Sequence, residues 1–187
     1  MITEIVQNGN PVLRKTSKKV LISDITKVKI QKILTDMNWA LDSQSDGVAI
    51  AAPQIGISLR IFIISGKVFD EDFARGKVIV SNNDFKKSYP PNLIFINPTI
   101  KKISKDKKLM EEGCLSIRPV YGRVRRATKA TVEACNEKGK KFTMEGTGLT
   151  AHIFQHEIDH LEGVLFIDKA KELREEEILN DEKNKTI

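Results

Sequence analysis

Residues 155–163 read QHEIDHLEG and contain H-E-x-x-H: His156, Glu157 and His160. The chain has 3 histidines, and the third, His152, stands just before this stretch. On a helix, residues four apart share a face at about 6 Å, so two imidazoles can reach one metal ion from the same side. Glu157 is rotated by about 100° from His156, close enough to handle a metal-bound water without being a ligand. A bound Zn2+ lowers the pKa of that water to about 7, which makes a nucleophile at neutral pH. A neighbouring carboxylate can take the proton and return it to the leaving group. The same residues could form an ordinary polar helix face, but two rare residue types at this spacing favour the metal reading.

A third protein ligand must come from elsewhere. His152 and His160 are separated by a rise of about 12 Å on an intact helix, which metal–nitrogen bonds of about 2 Å cannot close. His152 is therefore expected to line the site or to lie half exposed on the helix. Two sources of the third ligand stay open. Cys114 in EEGCLS (111–116) follows a glycine, which lets the backbone approach closely, and a thiolate binds Zn2+ or Fe2+ strongly. A glutamate farther on, Glu177 or Glu182, would instead complete a zinc peptidase. The longer peptidase pattern H-E-x-x-H-x-x-G-x-x-H fails, because Phe166 holds its last position. Cys135, in an alternating strand, reads as a small buried apolar residue.

These residues need elements to hold them. TGLTAHIFQHEIDHLEG (147–163) predicts a helix, with Thr147 or Thr150 as cap and Gly163 as stop. An earlier helix starts from Ser23 or Asp24 and runs to about Leu41. Ile25, Val28, Ile33, Leu34, Met37 and Leu41 form its apolar stripe, with Trp39 at the edge. Between the two helices lie a glycine-bounded loop (47–56), a buried strand over 59–65 and a strand over 93–97 stopped by Pro98. ATVEAC and KFTMEG then flank a hairpin turn. Residues 66–92 read as a polar excursion with a weak strand at 78–80. VLFID is short and apolar, and a charged helix is expected over most of 169–182. Helices and strands do not alternate regularly, so an α+β fold with small antiparallel or mixed sheets around the histidine helix is expected, in one domain spanning 1–187.

Composition narrows the function classes. Hydrophobic residues make up 40% and charged residues 30% of the 187 positions, as in ordinary globular proteins. Aromatics are only 6%, which argues against stacked recognition of bases, and no DNA partner is expected. No apolar run approaches the ~18 residues of a membrane span, and residues 1–20 lack a signal-peptide core. A cytoplasmic protein without a membrane partner is expected, with its 2 cysteines as thiols or ligands. The net charge is +6. The stretches KKISKDKK (101–108) and RVRRATK (123–129) are solvated edges or contacts to a polyanion.

Three separated segments resemble the peptide deformylases. That family carries G-x-G-x-A-A-x-Q, E-G-C-L-S and Q-H-E-x-D-H-L, and this chain has GVAIAAPQ (47–54), EGCLS (112–116) and QHEIDHL (155–161) in the same order. The likeness continues through NPVLR, FINP, YGRVRR and LFID. It implies that Cys114, His156 and His160 hold one divalent metal ion. Fe2+ is expected in the cell, with Zn2+, Ni2+ or Co2+ able to substitute. Glu157 is then the general acid/base for hydrolysis of the formyl group of a nascent formylmethionyl peptide, releasing formate. Gln54 and the backbone N–H of Leu115 receive the developing oxyanion. The peptide lies extended beside Gly47, Val48 and Ala49, and its methionine side chain meets Val48, Leu149 and Ile153. Glu112 and Arg126 form an ion pair that supports the site. A ribosome contact through the basic stretches or the last helix would follow from such a substrate. Two positions depart from the family: Ala49 stands where its motif has glycine, and Arg118-Pro119 replaces a stretch that usually begins with proline.

Overall fold

The computed structural model describes residues 4–70 and 89–175. In chain order the helices are α1 (Val28–Asp42) and α2 (Gly148–Leu161). The strands are β1 (Ala49–Ala51), β2 (Ile61–Ile64), β3 (Leu93–Ile103), β4 (Lys107–Gly113), β5 (Val120–Ala127), β6 (Lys129–Cys135), β7 (Lys141–Thr147) and β8 (Lys171–Glu175).

The four residues of β2, IFII, show no polar alternation, which suits a strand covered on both faces. Both faces are covered. Ile61 and Ile63 pack in a cluster with Ile33, Leu34, Met37 and Leu41 of α1. Phe62 and Ile64 point the other way, into a cluster with Ile153, Phe154 and Leu161 of α2. Phe62 stacks on Phe95 of β3 at 4.5 Å between ring centroids, and Phe154 meets Phe95 edge-on at 5.5 Å. The helix that carries the histidines is thus seated on the middle of a sheet.

That sheet has five antiparallel strands in the order β1-β2-β3-β6-β7. A second antiparallel sheet has the order β4-β5-β8. Leu13, Ile117, Val124, Leu165 and Phe166 form a third cluster beside it. The strand pairs are all antiparallel, and a single parallel bridge joins Lys18 to Leu59 among the described residues.

Several elements differ from the expectation. Helix α1 begins at Val28, after Lys27, because residues 22–24 form a separate 3-10 turn. Asp24 pairs with Lys27 at 2.6 Å instead of capping the helix. Val28 is 86% exposed, and Ile30 takes the buried position at the head of the stripe. Pro98 does not stop β3. The register shifts between Ile96 and Thr99, and Asn97 takes a φ of 54°. Such an irregularity tolerates a residue without an N–H. The Asn97 amide is tied to the Val20 backbone by two bonds of 2.8 Å. The loop over 47–56 contains β1 and a 3-10 turn at Ala52–Ile55, and Phe166–Asp168 is also a 3-10 turn. The expected charged last helix is corrected over its described part: residues 171–175 are β8, laid antiparallel on β5. The rest of that segment lies outside the described residues, as do the weak strand at 78–80 and Glu177 and Glu182.

Candidate metal centre

The H-E-x-x-H segment occupies the last turns of α2, and the cysteine sits just beyond β4. The docking of α2 against the second sheet brings them together. Sulfur Sγ of Cys114 and one ring nitrogen from each of His156 and His160 all lie within 4.8 Å of one another. Sγ is 3.2 Å from Nε2 of His160. A thiolate with two imidazoles is a donor set that suits Zn2+ or Fe2+.

The support for this cluster is built around Glu112, the penultimate residue of β4. It is 4% exposed and takes hydrogen bonds from four nitrogens. Arg126 on the paired strand β5 grips it as a fork, Nε to Oε1 at 2.6 Å and Nη2 to Oε2 at 3.0 Å. His152 Nε2 meets Oε1 at 2.6 Å, and His156 Nδ1 meets Oε2 at 2.8 Å. A carboxylate on one ring nitrogen fixes the tautomer and leaves Nε2 of His156 as the donor to a metal. Burial disfavours the charge on Glu112, but His152, His156 and Arg126 outweigh it and hold the carboxyl well below its usual range. Burial likewise opposes the charge on Arg126, and its bonds to Glu112 and Asp159 raise it instead. The expected ion pair is present, and His152 is buried and engaged, not half exposed. It stands outside the three-residue donor cluster.

Glu157 is buried, and Oε2 has no hydrogen-bond partner among the described residues. Burial pushes its carboxyl up to about 7, with His156 pulling it down by less. His160 is held well below its ordinary value, first by burial and then by repulsion from His156. Burial also works against a charge on His156, but its contacts with Cys114 and Glu112 win and raise it. Oε2 of Glu157 and Nδ1 of His160 are orphaned buried polar atoms beside the donor set. Such atoms are costly in a protein interior; His160 turns Nε2, not Nδ1, toward Cys114, so it is the Glu157 oxygen that the solvent of an ion held by the three donors would satisfy.

Gln54 is 2% exposed and its amide is oriented locally. Oε1 accepts from the Ala51 N–H at 2.8 Å, which turns Nε2 toward Ser116 Oγ at 3.3 Å and Cys114 Sγ at 3.5 Å. A cleft of about 280 Å³ opens beside these residues. Gly47, Val48 and Ala49 form one wall, and Leu115 and the α2 residues Leu149 and Ile153 line the cleft too. Ile153 is buried, while Leu149 is 39% exposed and so is no core residue. Ala49 lies in extended strand backbone, where a methyl group is tolerated. A Cβ on Gly47 would lie 2.9 Å from Cβ of Gln44 and 3.1 Å from Cδ1 of Leu41, so glycine is required there by packing.

Sequence reasoning missed three supporting residues. Gln155 brackets Ala127, taking its N–H and donating to its C=O at 3.0 Å each, and so pins α2 to the β5–β6 junction. Asp159 receives Arg126 Nη1 at 2.6 Å and Lys169 Nζ at 2.6 Å. Ser116 faces the Gln54 amide. Gln155 and Asp159 both stand inside the quoted QHEIDHL segment, and their polarity on a buried helix was the available signal.

A thiolate, two imidazoles and a buried carboxylate beside a small cleft define a candidate metallohydrolase centre. The model of one family, polypeptide deformylase, matches residues 2–176. A peptide deformylase of Desulfitobacterium hafniense is 42% identical over 173 residues, 91% of this chain and 95% of that protein. Peptide deformylase 2 of Clostridium acetobutylicum is 39% identical over 171 residues, 91% of this chain and 97% of that one. Among solved structures, the peptide deformylase from Thermotoga maritima matches with a TM-score of 0.73 and 32% identity, covering 91% of this chain and 99% of that one. The Met-Ala-Ser-bound class I type b peptide deformylase from Acinetobacter baumannii matches with a TM-score of 0.74 and 27% identity, over 90% of this chain and 99% of that one. The chain belongs to the polypeptide deformylase family and is an enzyme of that kind.

Proposed function

We propose that the chain hydrolyses the N-formyl group of formylmethionyl nascent peptides and releases formate, with residues 1–187 acting as one metallohydrolase domain. The observation that carries this reading is the convergence of Cys114, His156 and His160 beside the unpartnered carboxylate oxygen of Glu157. The three donors would hold one divalent ion, Fe2+ in the cell, with Zn2+, Ni2+ or Co2+ as substitutes. When bound, such an ion supplies a Lewis acid for the formyl carbonyl and lowers the pKa of a water to about 7.

The chain's own residues do the rest. Glu157 takes the proton of the attacking water and delivers it to the departing amine as the C–N bond breaks. The Gln54 amide and the Leu115 N–H stabilise the negative charge that develops on the formyl oxygen, each worth about 3–4 kcal/mol by analogy with other oxyanion donors. Residues 47–49 pair with the peptide backbone as an added strand does. Val48, Leu149 and Ile153 receive the methionine side chain. The 280 Å³ cleft lies at the small end of ligand sites, which suits one side chain and a formyl group. The binding of Met-Ala-Ser by the Acinetobacter baumannii relative supports a peptide in this place.

The reaction is assigned to the cytoplasm, where translation starts, and the substrate is the emerging chain. Lys101, Lys102, Lys105, Lys107 and Lys108 are exposed around the β3–β4 hairpin and offer a contact to ribosomal RNA. Anaerobic iron-loaded protein is expected to release formate from formyl-Met-Ala-Ser, with Cys114→Ala abolishing both metal binding and release. Metal retained by Cys114→Ala, or no formate from the wild type, overturns the reading.

A further inference from the structure

Two charged residues at the mouth of the cleft have no part in the chemistry proposed above. Asp46 stands immediately before the wall at 47–49, and Arg118 follows the loop that carries Cys114; both line the cleft. Arg118 Nη2 donates to Asp46 Oδ1 at 2.5 Å, joining the residue before the wall at 47–49 to the segment that follows Cys114. Glu111, also on the rim, is engaged by Arg174 at 2.9 Å. Arg118 opens one of the two departures from the family pattern.

We infer that Arg118 is a specificity-determining residue that reads the side chains following the formylmethionine and favours a carboxylate, with Asp46 as its resting partner. The inference rests on the deformylase reading. An extended peptide advances about 3.4 Å per residue, so its second and third residues reach the rim while methionine fills the cleft. The side chains of Arg118 and Asp46 are 34% and 55% exposed, so arginine is the more dependent on an anion. Its guanidinium carries five N–H donors in a fork that fits a carboxylate, and Asp46 occupies one nitrogen. A substrate aspartate can share or replace that contact, while Asp46 turns to water at little cost. A substrate lysine meets Arg118 as a like charge and has to compete with Arg118 and Arg174 for Asp46 and Glu111. The net charge of +6 tips the balance the same way.

The test compares formyl-Met-Ala-Asp amide with formyl-Met-Ala-Lys amide, and the same pair with the charge at the second residue. The readout is the Asp:Lys ratio of kcat/KM within one protein, so a general loss of activity in a variant cancels. At low salt the wild type is expected to prefer aspartate about fivefold, chiefly through KM, and to lose the preference in high salt. Arg118→Ala should bring the ratio near one, Arg118→Lys should keep part of it, and Asp46→Asn should raise it. Calorimetry with the unformylated Met-Ala-Asp and Met-Ala-Lys amides should give the same order without turnover. Equal ratios in wild type and Arg118→Ala overturn the inference. Absence of formate from formyl-Met-Ala-Ser amide with the wild type overturns the deformylase reading instead, and the calorimetric order then decides the role of Arg118.

Discussion

Two carboxylates 45 positions apart in sequence are given opposite characters by what surrounds them. Glu112 is surrounded by donors and stays ionised; Glu157 is buried beside an orphaned edge and binds a proton readily. This division sorts their expected mutants. Glu157→Gln keeps the shape but cannot carry the proton, so formate release should fall by about 10²–10⁴-fold. Metal content, measured by plasma mass spectrometry, should be unchanged; a loss of metal would make Glu157 structural. Glu112→Gln leaves an amide that cannot accept from every donor around it. Metal affinity, measured by competition with a chelator, should drop about 10–100-fold. Breaking the buried pair with Arg126 should cost about 3–5 kcal/mol in urea unfolding.

At the scale of elements, the site depends on where α2 lies between the sheets. Behind the wall at 47–49 lie Leu41 of α1 and Gln44 just after that helix, and they occupy the space a Cβ on Gly47 would need. Gly47→Ala is expected to cost about 1–3 kcal/mol through overpacking, read as a lower urea midpoint with an unchanged slope. Helix α2 was legible in the sequence because its end signals are local: Thr147 stands at the N-cap, although its side chain makes no capping bond, and Gly163 follows the last turn with a φ of 73°. The β6–β7 hairpin was legible for the same reason. The Arg126 partner of Glu112 followed from the family resemblance, but its bonds from His152 and His156 were not legible, because they exist only when β4 lies against α2, and no spacing along the chain records that. Val28 misled the reading because it is apolar at the first position of α1, yet at about 100° per residue it falls opposite the stripe of Ile30, Ile33, Leu34, Met37 and Leu41 and is 86% exposed. Residues 171–175, KELRE, are helix formers by composition. They became β8 because the edge of β5 offered unpaired backbone groups, a tertiary fact that overrides a weak propensity.

At the scale of the molecule, the candidate metal centre lies where the two sheets and the central helix meet, since Cys114 follows β4 and His156 and His160 ride on α2. If the proposed ion is bound there, removing it should loosen the whole fold. A ligand present at a thousandfold over its Kd stabilises by about 4 kcal/mol. For a domain of this size that is a fall of about 10 °C in Tm on chelation, restored by adding the metal back. Acid should act at the same junction. The folded pKa of Glu112 lies well below its unfolded value of 4.5. Where the unfolded chain binds a proton that the native state refuses, stability rises with pH. The Glu112 contribution is thus complete above the unfolded value and is lost as pH falls from there toward the folded one. Glu157 has the opposite sign: its folded pKa of about 7 stands above 4.5, so it stabilises the metal-free protein at low pH and that help fades as pH rises through 7. Urea unfolding of metal-free wild type and Glu112→Gln between pH 5 and pH 3 separates the two. The wild type should lose stability more steeply with acid than the variant does; parallel slopes would mean that the Glu112 carboxylate is not what ties β4 to α2.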